Sequence, residues 1–430
     1  MICLYKNTCY RCTEEVQALK EYNTLDDFDV KNKTVLLRVD FNMPLDKKTL
    51  SITDDTRIRL ALPTITELVG KHAKIVILAH QGKQGSWDFT SMQQHAKLLQ
   101  NLLGQPVTYV DDIFGETAKN AIKAMTPGSI VFLDNVRKFP GETEKKKPEE
   151  HAQSPLVQNL APLADLYVND AFAAAHRAQC SLTGFAAVLP SAAGRLLEKE
   201  ITSLEKVVKN PEKPAVFLFG GAKFSDVIVT IDRVLSNKTA DTVLLTGLPA
   251  NAFLKAKGIN LGKINEDAMA EEGTPEIFDQ ITMVSSKYPT QILLPVDFAI
   301  EKNGKRHELM VKDLPVEAPL FDIGERTIQQ FKEILAKAKT IFLSGPCGVF
   351  ENPLFQKGTK EIFTTVAQSK AFSIAGGGHT IAALDTLQLN TKISHISTGG
   401  GALEKFMMGD KLPVVEALKQ AKKRQLIPAK

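Results

Sequence analysis

Arginine, histidine and other polar side chains gather where the predicted strands of the first half end. They lie in RVDFN (38–42), AHQGK (79–83), DNVRKF (134–139) and VNDAFAAAHR (168–177), and Arg57 precedes a helical pattern. Parallel strands bring such ends to one edge of a sheet. Each Arg taken alone fits a surface ion pair, but together the guanidinium groups would repel each other without an anion. Because Arg binds carboxylate and phosphate with a planar fork, we expect a site for a small, multiply charged anion.

The predicted strand ends of the second half carry glycines instead. They are Gly220, Gly221, Gly247, Gly345, Gly348 and the runs 376–378 and 399–401. Glycine permits close backbone approach, and a glycine turn that opens a helix directs free N–H groups at an anion. One such loop could be a tight turn, but five at one edge predict a phosphate-binding face, to which Lys223 adds a positive charge. The P-loop, dinucleotide and protein-kinase motifs are absent.

Short β-branched runs alternate with longer amphipathic segments along the whole chain. The runs are apolar throughout, as in parallel strands covered on both faces. The sequence therefore predicts an α/β fold with two doubly wound, Rossmann-like parallel-sheet domains. The predicted strands are 34–41, 73–80, 129–136, 166–170, 215–221, 242–247, 291–298, 339–346 and 371–378.

The chain length of 430 residues favours two domains. A helical pattern over 192–210 with no strand beside it ends at 211-PEKP-214, where proline disfavours helix, and it predicts a hinge helix. We place the two domains at 24–191 and 211–402. Residues 1–23 form an extension, either a disordered tail or a misplaced start, and 403–430 form a C-terminal segment.

Composition excludes several classes of protein. Hydrophobic residues make up 43% and charged residues 24%, as in folded soluble proteins, and the net charge of +4 does not suggest nucleic-acid binding. No apolar run approaches the roughly 20 residues of a membrane-spanning helix, and we find no signal peptide. Five scattered cysteines indicate a reducing, cytoplasmic setting, and the CxxC of Cys9 and Cys12 fits free thiols better than a metal site.

Taken together, these segments resemble the phosphoglycerate kinase family over nearly the whole chain, and HQG, AAAHR and GGGHT resemble its archaeal branch. The resemblance implies reversible phosphoryl transfer between 1,3-bisphosphoglycerate and ADP, giving 3-phosphoglycerate and ATP. The acid would lie on the N-terminal domain, the nucleotide on the C-terminal domain, and the last residues would pack back across the hinge. The matching segments are RVDFN (38–42), DDTRIRLALPTI (54–65), VNDAFAAAHR (168–177), GGAK (220–223), LPVDF (294–298), GPCGVFE (345–351), GGGHT (376–380) and SHISTGGGA (394–402).

The resemblance also implies a set of functional residues. Arg57 and Lys223 would flank the transferring group, and Mg²⁺ would arrive with ATP or ADP, held largely by the nucleotide and water. Partners would be small molecules, with no nucleic acid or membrane, and the chain would be a monomer or homodimer. The glycerate would be bound by Asp40, Phe41, Asn42, Arg57, His80, Gln81, Gly82, Lys83, Arg137 and Arg177. The nucleotide would be bound by Glu351 at the ribose and by Gly377, Gly378, His379 and Thr380 at the phosphates.

Four positions depart from the family pattern. Lys83 replaces arginine, Val227 a second lysine, Ser344 asparagine, and His379 an aspartate near the magnesium. They motivate an alternative, a catalytically impaired protein on the same fold that only binds nucleotide or phosphoglycerate. A nicotinamide-dependent oxidoreductase would follow from the sheet alone, but the missing dinucleotide fingerprint argues against it.

Overall fold

The protein is described by a computed structural model that covers residues 20–426. The predicted extension up to residue 19, with Cys3, Cys9 and Cys12, lies outside the described residues. The strands are β1 (Thr34–Val39), β2 (Lys74–Leu78), β3 (Thr108–Val110), β4 (Ile130–Leu133), β5 (Leu166–Asp170), β6 (Ser191–Ala193), β7 (Ala215–Phe219), β8 (Thr242–Leu245), β9 (Ile292–Leu293), β10 (Asp297–Lys302), β11 (Lys305–Met310), β12 (Asp322–Ile323), β13 (Thr340–Ser344), β14 (Phe372–Gly376) and β15 (His395–Ile396).

Helices connect most of these strands. Within residues 20–426, no helix combines the length and the apolar character that a membrane-spanning segment requires. The helices are α1 (Thr56–Gly70), α2 (Gln93–Leu103), α3 (Glu116–Lys123), α4 (Pro148–His151), α5 (Pro155–Leu160), α6 (Arg195–Val208), α7 (Ser225–Ser236), α8 (Gly247–Ala256), α9 (Lys263–Asp267), α10 (Pro275–Lys287), α11 (Glu325–Lys337), α12 (Lys357–Gln368), α13 (Gly378–Thr386), α14 (Gly400–Met407) and α15 (Pro413–Gln425).

Two six-stranded parallel sheets form the framework. The first sheet has the order β3-β4-β2-β1-β5-β6, and the second has the order β15-β14-β13-β7-β8-β9. Every residue of β1, β4, β5 and β7 is buried, because helices cover both faces and apolar clusters fill the space between. The predicted fold class, two doubly wound parallel-sheet units, is confirmed.

The predicted strand 291–298 is wrong as a single element. β9 ends at Leu293 on the edge of the second sheet, and β10 starts at Asp297 in a separate antiparallel sheet of order β11-β10-β12. Pro295 lies between them, and proline cannot donate a ladder hydrogen bond. The chain therefore leaves the parallel sheet at this point.

Helix α6 connects the two sheets. It starts three residues later than the predicted 192–210 helix, because 191–193 form the edge strand β6. Its buried residues Leu197, Ile201, Leu204 and Val207 recur at helical spacing, and they share one apolar cluster with residues of the second sheet. The amide of Leu197 donates to the Asp170 carboxylate at 3.0 Å, which anchors the helix to the first sheet.

Glu200 joins the same helix to the second sheet. Its fully buried carboxylate accepts hydrogen bonds from the backbone and hydroxyl of Thr398, at 2.6 and 2.7 Å, and contacts His395 Nε2 at 2.7 Å. His395 begins β15, and Thr398 lies between β15 and α14. If the two sheets rotate relative to each other about α6, this contact must either move with the second sheet or break.

The C-terminal helix α15 returns to the first sheet. The amide of Val414 donates to Ala175 O at 3.2 Å, and Asn23 Nδ2 donates to Gln425 Oε1 at 2.6 Å. Helix α15 also contacts β6. The division into domains at 24–191 and 211–402 remains a prediction.

Candidate active site

Asp40 and Arg57 form an ion pair beyond the end of β1. Arg57, in the first turn of α1, approaches Asp40 Oδ2 with Nη1 at 2.8 Å. Burial alone would raise the pKa of Asp40, but the neighbouring His80, Arg57 and Arg38 outweigh it and lower this pKa to about 2. The carboxylate is therefore ionised at neutral pH, and it holds Arg57 at the edge of the sheet.

Arg38 lies behind this pair and is completely buried. Its Nε donates to Ser181 Oγ at 2.8 Å, and its Nη2 is 3.0 Å from His80 Nδ1. Burial lowers the pKa of His80 well below its usual value, although the charge of Asp40 opposes this. His80 is therefore a neutral imidazole at pH 7, oriented by a guanidinium group.

Arg137 and Arg177 add two further positive charges. The pKa of Arg137 is lowered by burial and then by the charges of Arg177 and Arg38. The fully buried Glu142 accepts from the backbone and hydroxyl of Ser181 at 2.8 and 2.7 Å, and burial raises its pKa. Four guanidinium groups thus face two carboxylates, Asp40 and Glu142, so positive charge is in excess, as an anion site requires.

Two residues predicted to bind substrate have side chains that contact other parts of the protein. Phe41 is completely buried and packs near Phe132, with ring centroids 6.0 Å apart. The Gln81 side chain is also fully buried, accepts from Met43 N at 2.9 Å and donates to Met43 O at 3.0 Å. Their side chains are therefore occupied within the protein, which a sequence motif alone does not reveal.

The loops that follow β1 and β2 are held together by further hydrogen bonds. Asn42 Oδ1 accepts from Gly82 N at 2.8 Å, and Arg137 donates to Gly82 O. Asn135 Nδ2 donates to Gln81 O at 2.7 Å. Lys83 follows these residues and is exposed, with its backbone N–H directed to Ser86 Oγ at 3.0 Å. Asp40, Asn42, Arg57, His80, Gly82, Arg137 and Arg177 are thus brought to one edge.

Glycine loops form the corresponding edge of the second sheet. The amide of Gly220 donates to Ser344 O at 2.7 Å, that of Gly221 to Pro346 O at 2.9 Å, and that of Leu248 to Gly221 O at 2.9 Å. An added Cβ at Gly345 would collide with the backbone of Gly220. Close packing of three loops therefore explains the glycines after β7, β8 and β13.

The three glycines at 376–378 have different structural reasons. Gly376 ends β14 against Leu403, so a side chain would not fit. Gly377 has φ +92°, which non-glycine residues rarely adopt, and Gly378 opens α13 with free space where a Cβ would lie. The Thr380 hydroxyl is buried and accepts from Gly345 N at 2.7 Å. The start of α13 can thus present backbone N–H groups to an anion.

A cavity of about 190 Å³ opens between these glycine loops. Glu351 and His379, both exposed, lie on its wall, and Asp322 lies beneath it. Asp322 accepts from Arg306 Nη1 and from Gly358 N, both at 2.8 Å. Burial raises the pKa of Asp322 to about 6 in spite of these partners.

Helix α14 lies between the basic edge and the glycine edge. At Gly401 an added Cβ would be 3.3 Å from His176 Nε2, so α14 touches the segment that carries Arg177. On α14, burial raises the pKa of Glu404, while the charges of Asp226 and Lys223 act on it in opposite directions. Lys223 itself is exposed. A smaller cavity beside α14 is lined by Val227, Ser344, Gly377, Gly400 and Glu404 among others.

Sequence reasoning missed two residues of the site and did not predict the buried role of a third. Arg38 is a charged residue inside an apolar strand, and this contrast was the available signal for a buried network. Asp322 follows an apolar pair in PLFDIG (319–324), and only the fold brings Arg306 to it. Asn251, an amide inside a buried helix, lines the cavity.

Comparisons with known proteins show the family of this chain. A family model described as phosphoglycerate kinase matches residues 25–410. The phosphoglycerate kinase of Methanobacterium bryantii is 48% identical, over 93% of this chain and 98% of that protein, and that of Methanothermus fervidus is 46% identical, over 94% and 98%. The crystal structure of phosphoglycerate kinase from Pyrococcus horikoshii OT3 has a TM-score of 0.84 at 41% identity, covering 94% of this chain and all of that one. The structure from Coxiella burnetii has a TM-score of 0.80 at 34% identity, covering 93% and 99%. The chain belongs to the phosphoglycerate kinase family.

Proposed function

We propose that this phosphoglycerate kinase binds 3-phosphoglycerate or 1,3-bisphosphoglycerate at the basic edge of the first sheet and ATP or ADP at the glycine loops of the second. The observation that carries the proposal is the excess of guanidinium groups around Asp40, together with glycine loops in the second sheet where the glycine-led first turn of α13 can present backbone N–H groups. The glycerate ligands are Asp40, Asn42, Arg57, His80, Gly82, Lys83, Arg137 and Arg177, with Phe41 and Gln81 supporting them. The nucleotide ligands are Glu351, Gly377, Gly378, His379 and Thr380.

The reaction needs positioning and charge stabilisation. In either direction the attacking oxygen is already anionic, a carboxylate or a phosphate, so no general base is required. The phosphoryl group in transit spreads negative charge over its equatorial oxygens. Arg57 on one side and Lys223 on the other stabilise this charge, and the start of α13 adds its N–H groups. Asp40 keeps Arg57 oriented through their 2.8 Å contact.

Transfer requires the two edges to approach each other. Among the described residues no hydrogen bond or ion pair joins Arg57 or Arg177 to Lys223, and Lys223 is exposed. Closure about α6 would bring the two anions into line and exclude water from the transferring group. Glu200, which connects α6 to the loop before α14, would transmit this motion.

Magnesium, compartment and assembly complete the proposal. We propose that Mg²⁺ enters with the nucleotide, with ligands from phosphate and water and with His379 near them. We also propose a cytoplasmic monomer or homodimer that binds no nucleic acid. Cys180 and Cys347 are buried free thiols, as a reducing compartment allows.

The Arg57→Ala variant tests the assigned chemistry. Loss of a charge directed at the transferring group should lower kcat by about 10²- to 10³-fold with little change in nucleotide affinity. The measurement is a coupled assay with 3-phosphoglycerate, ATP and Mg²⁺, beside calorimetric titration of ADP. Arg59→Ala is the matched control, since Arg59 lies on the same helix and, within residues 20–426, pairs only with the surface residue Asp55, at 2.8 Å.

Either of two results would contradict the proposal. Near-normal kcat in the Arg57→Ala variant would remove the role given to Arg57. Failure of the wild-type chain to turn over in the coupled assay, while it still binds ADP, would favour the binding-only protein on the same fold. Removal of Mg²⁺ with EDTA should abolish turnover and leave circular dichroism unchanged.

A further inference from the structure

Asn251 is a buried amide whose oxygen has no partner. Its side chain is 3% exposed, and its Oδ1 has no hydrogen-bond partner among residues 20–426. It follows Gly247 by four residues and Leu248 by three, so the three share one face of α8, and all three line the cavity between the glycine loops. A buried polar atom without a partner costs stability. This position therefore calls for a ligand.

The cavity wall indicates which part of a ligand reaches Asn251. Phe298, Leu320, Phe321 and Val349 form an apolar lining, which suits a flat heterocycle. The charged and hydroxylated parts of a nucleotide would be placed by Glu351 and by the start of α13. The base therefore occupies the apolar part of the cavity, where Asn251 is the uncharged amide on the wall.

Asp322 lines the same cavity, but both of its carboxylate oxygens already have partners within the protein. Its Oδ2 accepts from Arg306 and from Gly358 N, and its Oδ1 accepts from Ile323 N at 2.9 Å. Each oxygen thus already has a donor within the protein. Asn251 differs because its buried Oδ1 has no donor among residues 20–426, so Asn251 is the lining residue whose amide calls for the hydrogen-bonding edge of the base.

We propose that Asn251 contacts the purine base and selects 6-aminopurine nucleotides over 6-oxopurine nucleotides. This rests on the proposed function, because the base belongs to the nucleotide that takes part in the transfer. An asparagine amide presents an acceptor beside a donor, and adenine presents its 6-amino donor beside the N7 acceptor, so two hydrogen bonds form. Hypoxanthine presents two acceptors, O6 and N7, at that edge. One of the two bonds is then replaced by contact between two oxygens.

The test compares ATP with inosine triphosphate. In wild type, kcat/KM at saturating 3-phosphoglycerate should favour ATP by about 5- to 150-fold, the discrimination expected of one bidentate pair. The Asn251→Leu variant keeps the size of the side chain and removes the amide. Its kcat/KM for ATP should fall toward the value for inosine triphosphate, which should change little. Calorimetric titration of ADP and inosine diphosphate should show the same pattern in Kd.

Val349→Ala is the matched control, because Val349 lines the same cavity without a polar group. This variant should lower kcat/KM for ATP and for inosine triphosphate by the same factor and so preserve the preference for ATP. The inference is overturned if wild type uses both nucleotides equally well, or if Asn251→Leu keeps the preference while folded by circular dichroism. If wild type turns over neither nucleotide, the proposed function fails, and the two diphosphate affinities still decide the inference.

Discussion

The buried carboxylate of Glu200 offers a direct test of how the two sheets are held together. We expect the Glu200→Gln variant, which keeps the shape and removes the charge, to lower the free energy of unfolding. In wild type, His395 Nε2 is 2.7 Å from a carboxylate oxygen of Glu200. In the variant, the amide oxygen can still accept from Thr398, but an NH₂ group faces His395 Nε2. A hydrogen bond to a charged group contributes about 1.5–3 kcal/mol, against ~1 kcal/mol for a neutral one.

The structure allows the size of the effect to be worked out. The His395 contact weakens because a neutral NH₂ group replaces the carboxylate oxygen, and the two Thr398 bonds weaken because their acceptor becomes neutral. At about 1 kcal/mol for each of these three contacts, we expect a total loss of about 3 kcal/mol. This corresponds to about a hundredfold shift toward a state in which the loop before α14 has left α6. Because closure depends on that loop, kcat should fall as well.

Urea unfolding measures this loss in wild type and variant. Circular dichroism follows the whole chain, and the fluorescence of Trp87, the one tryptophan, follows the first sheet. The matched control is Glu205→Gln, which removes the same charge from the same helix. Among the residues that the structure describes, Glu205 forms an ion pair only with Lys209, at the surface, so a loss of about 0.5 kcal/mol or less is expected. If Glu200→Gln loses no more than Glu205→Gln, the reasoning about this contact is refuted.

Two further predictions concern other buried groups. Arg306→Ala leaves Asp322 buried without its ion pair beneath the proposed nucleotide cavity. In the coupled assay, KM for ATP should therefore rise tenfold or more, whereas KM for 3-phosphoglycerate should not change. The control, Lys305→Ala, removes an exposed neighbouring charge and should change neither KM. Burial lowers the pKa of His95 from 6.5 to about 4 in the folded protein. Between pH 6.5 and pH 4, His95 is therefore protonated in the unfolded chain but not in the folded one, so the free energy of unfolding falls as the pH is lowered through this range. This group should contribute about 3 kcal/mol to the fall, and His95→Gln should flatten the pH dependence of the urea midpoint in that window; an equally steep curve would contradict it.

Much of the fold could be predicted because its central strands are apolar on both faces. The runs at 34–41, 215–221 and 339–346 contain β1, β7 and β13, which lie inside their sheets. The edge strands β3, β6 and β15 were missed, since they have only two or three residues and no distinctive pattern. Pairing with a neighbour, which is a tertiary effect, makes them strands.

The candidate site could be predicted in outline but not in its supporting contacts. Charged residues after strands indicate a shared edge, and this applies to Asp40, His80 and Arg137 because all three strands lie in one sheet. The sequence motif around Gln81 does not reveal that the Gln81 side-chain amide forms two hydrogen bonds with the backbone of Met43, since that contact depends on how two distant loops pack. Likewise, Asn251 looks like an ordinary helix residue until the cavity beside it is seen.

The return of helix α15 has a consequence for the order in which the molecule is completed. Lys422 Nζ donates to Lys20 O at 2.8 Å, and Thr24 forms a parallel bridge with Ala193, so residues near both described ends meet at one side of the first sheet. The second sheet is in effect an insertion within the unit built on the first. During synthesis, the unit built on the first sheet is completed only when α15 leaves the ribosome, and by then the residues of the second sheet have already been made. A permuted gene that begins inside the inserted unit would reverse this sequence of events.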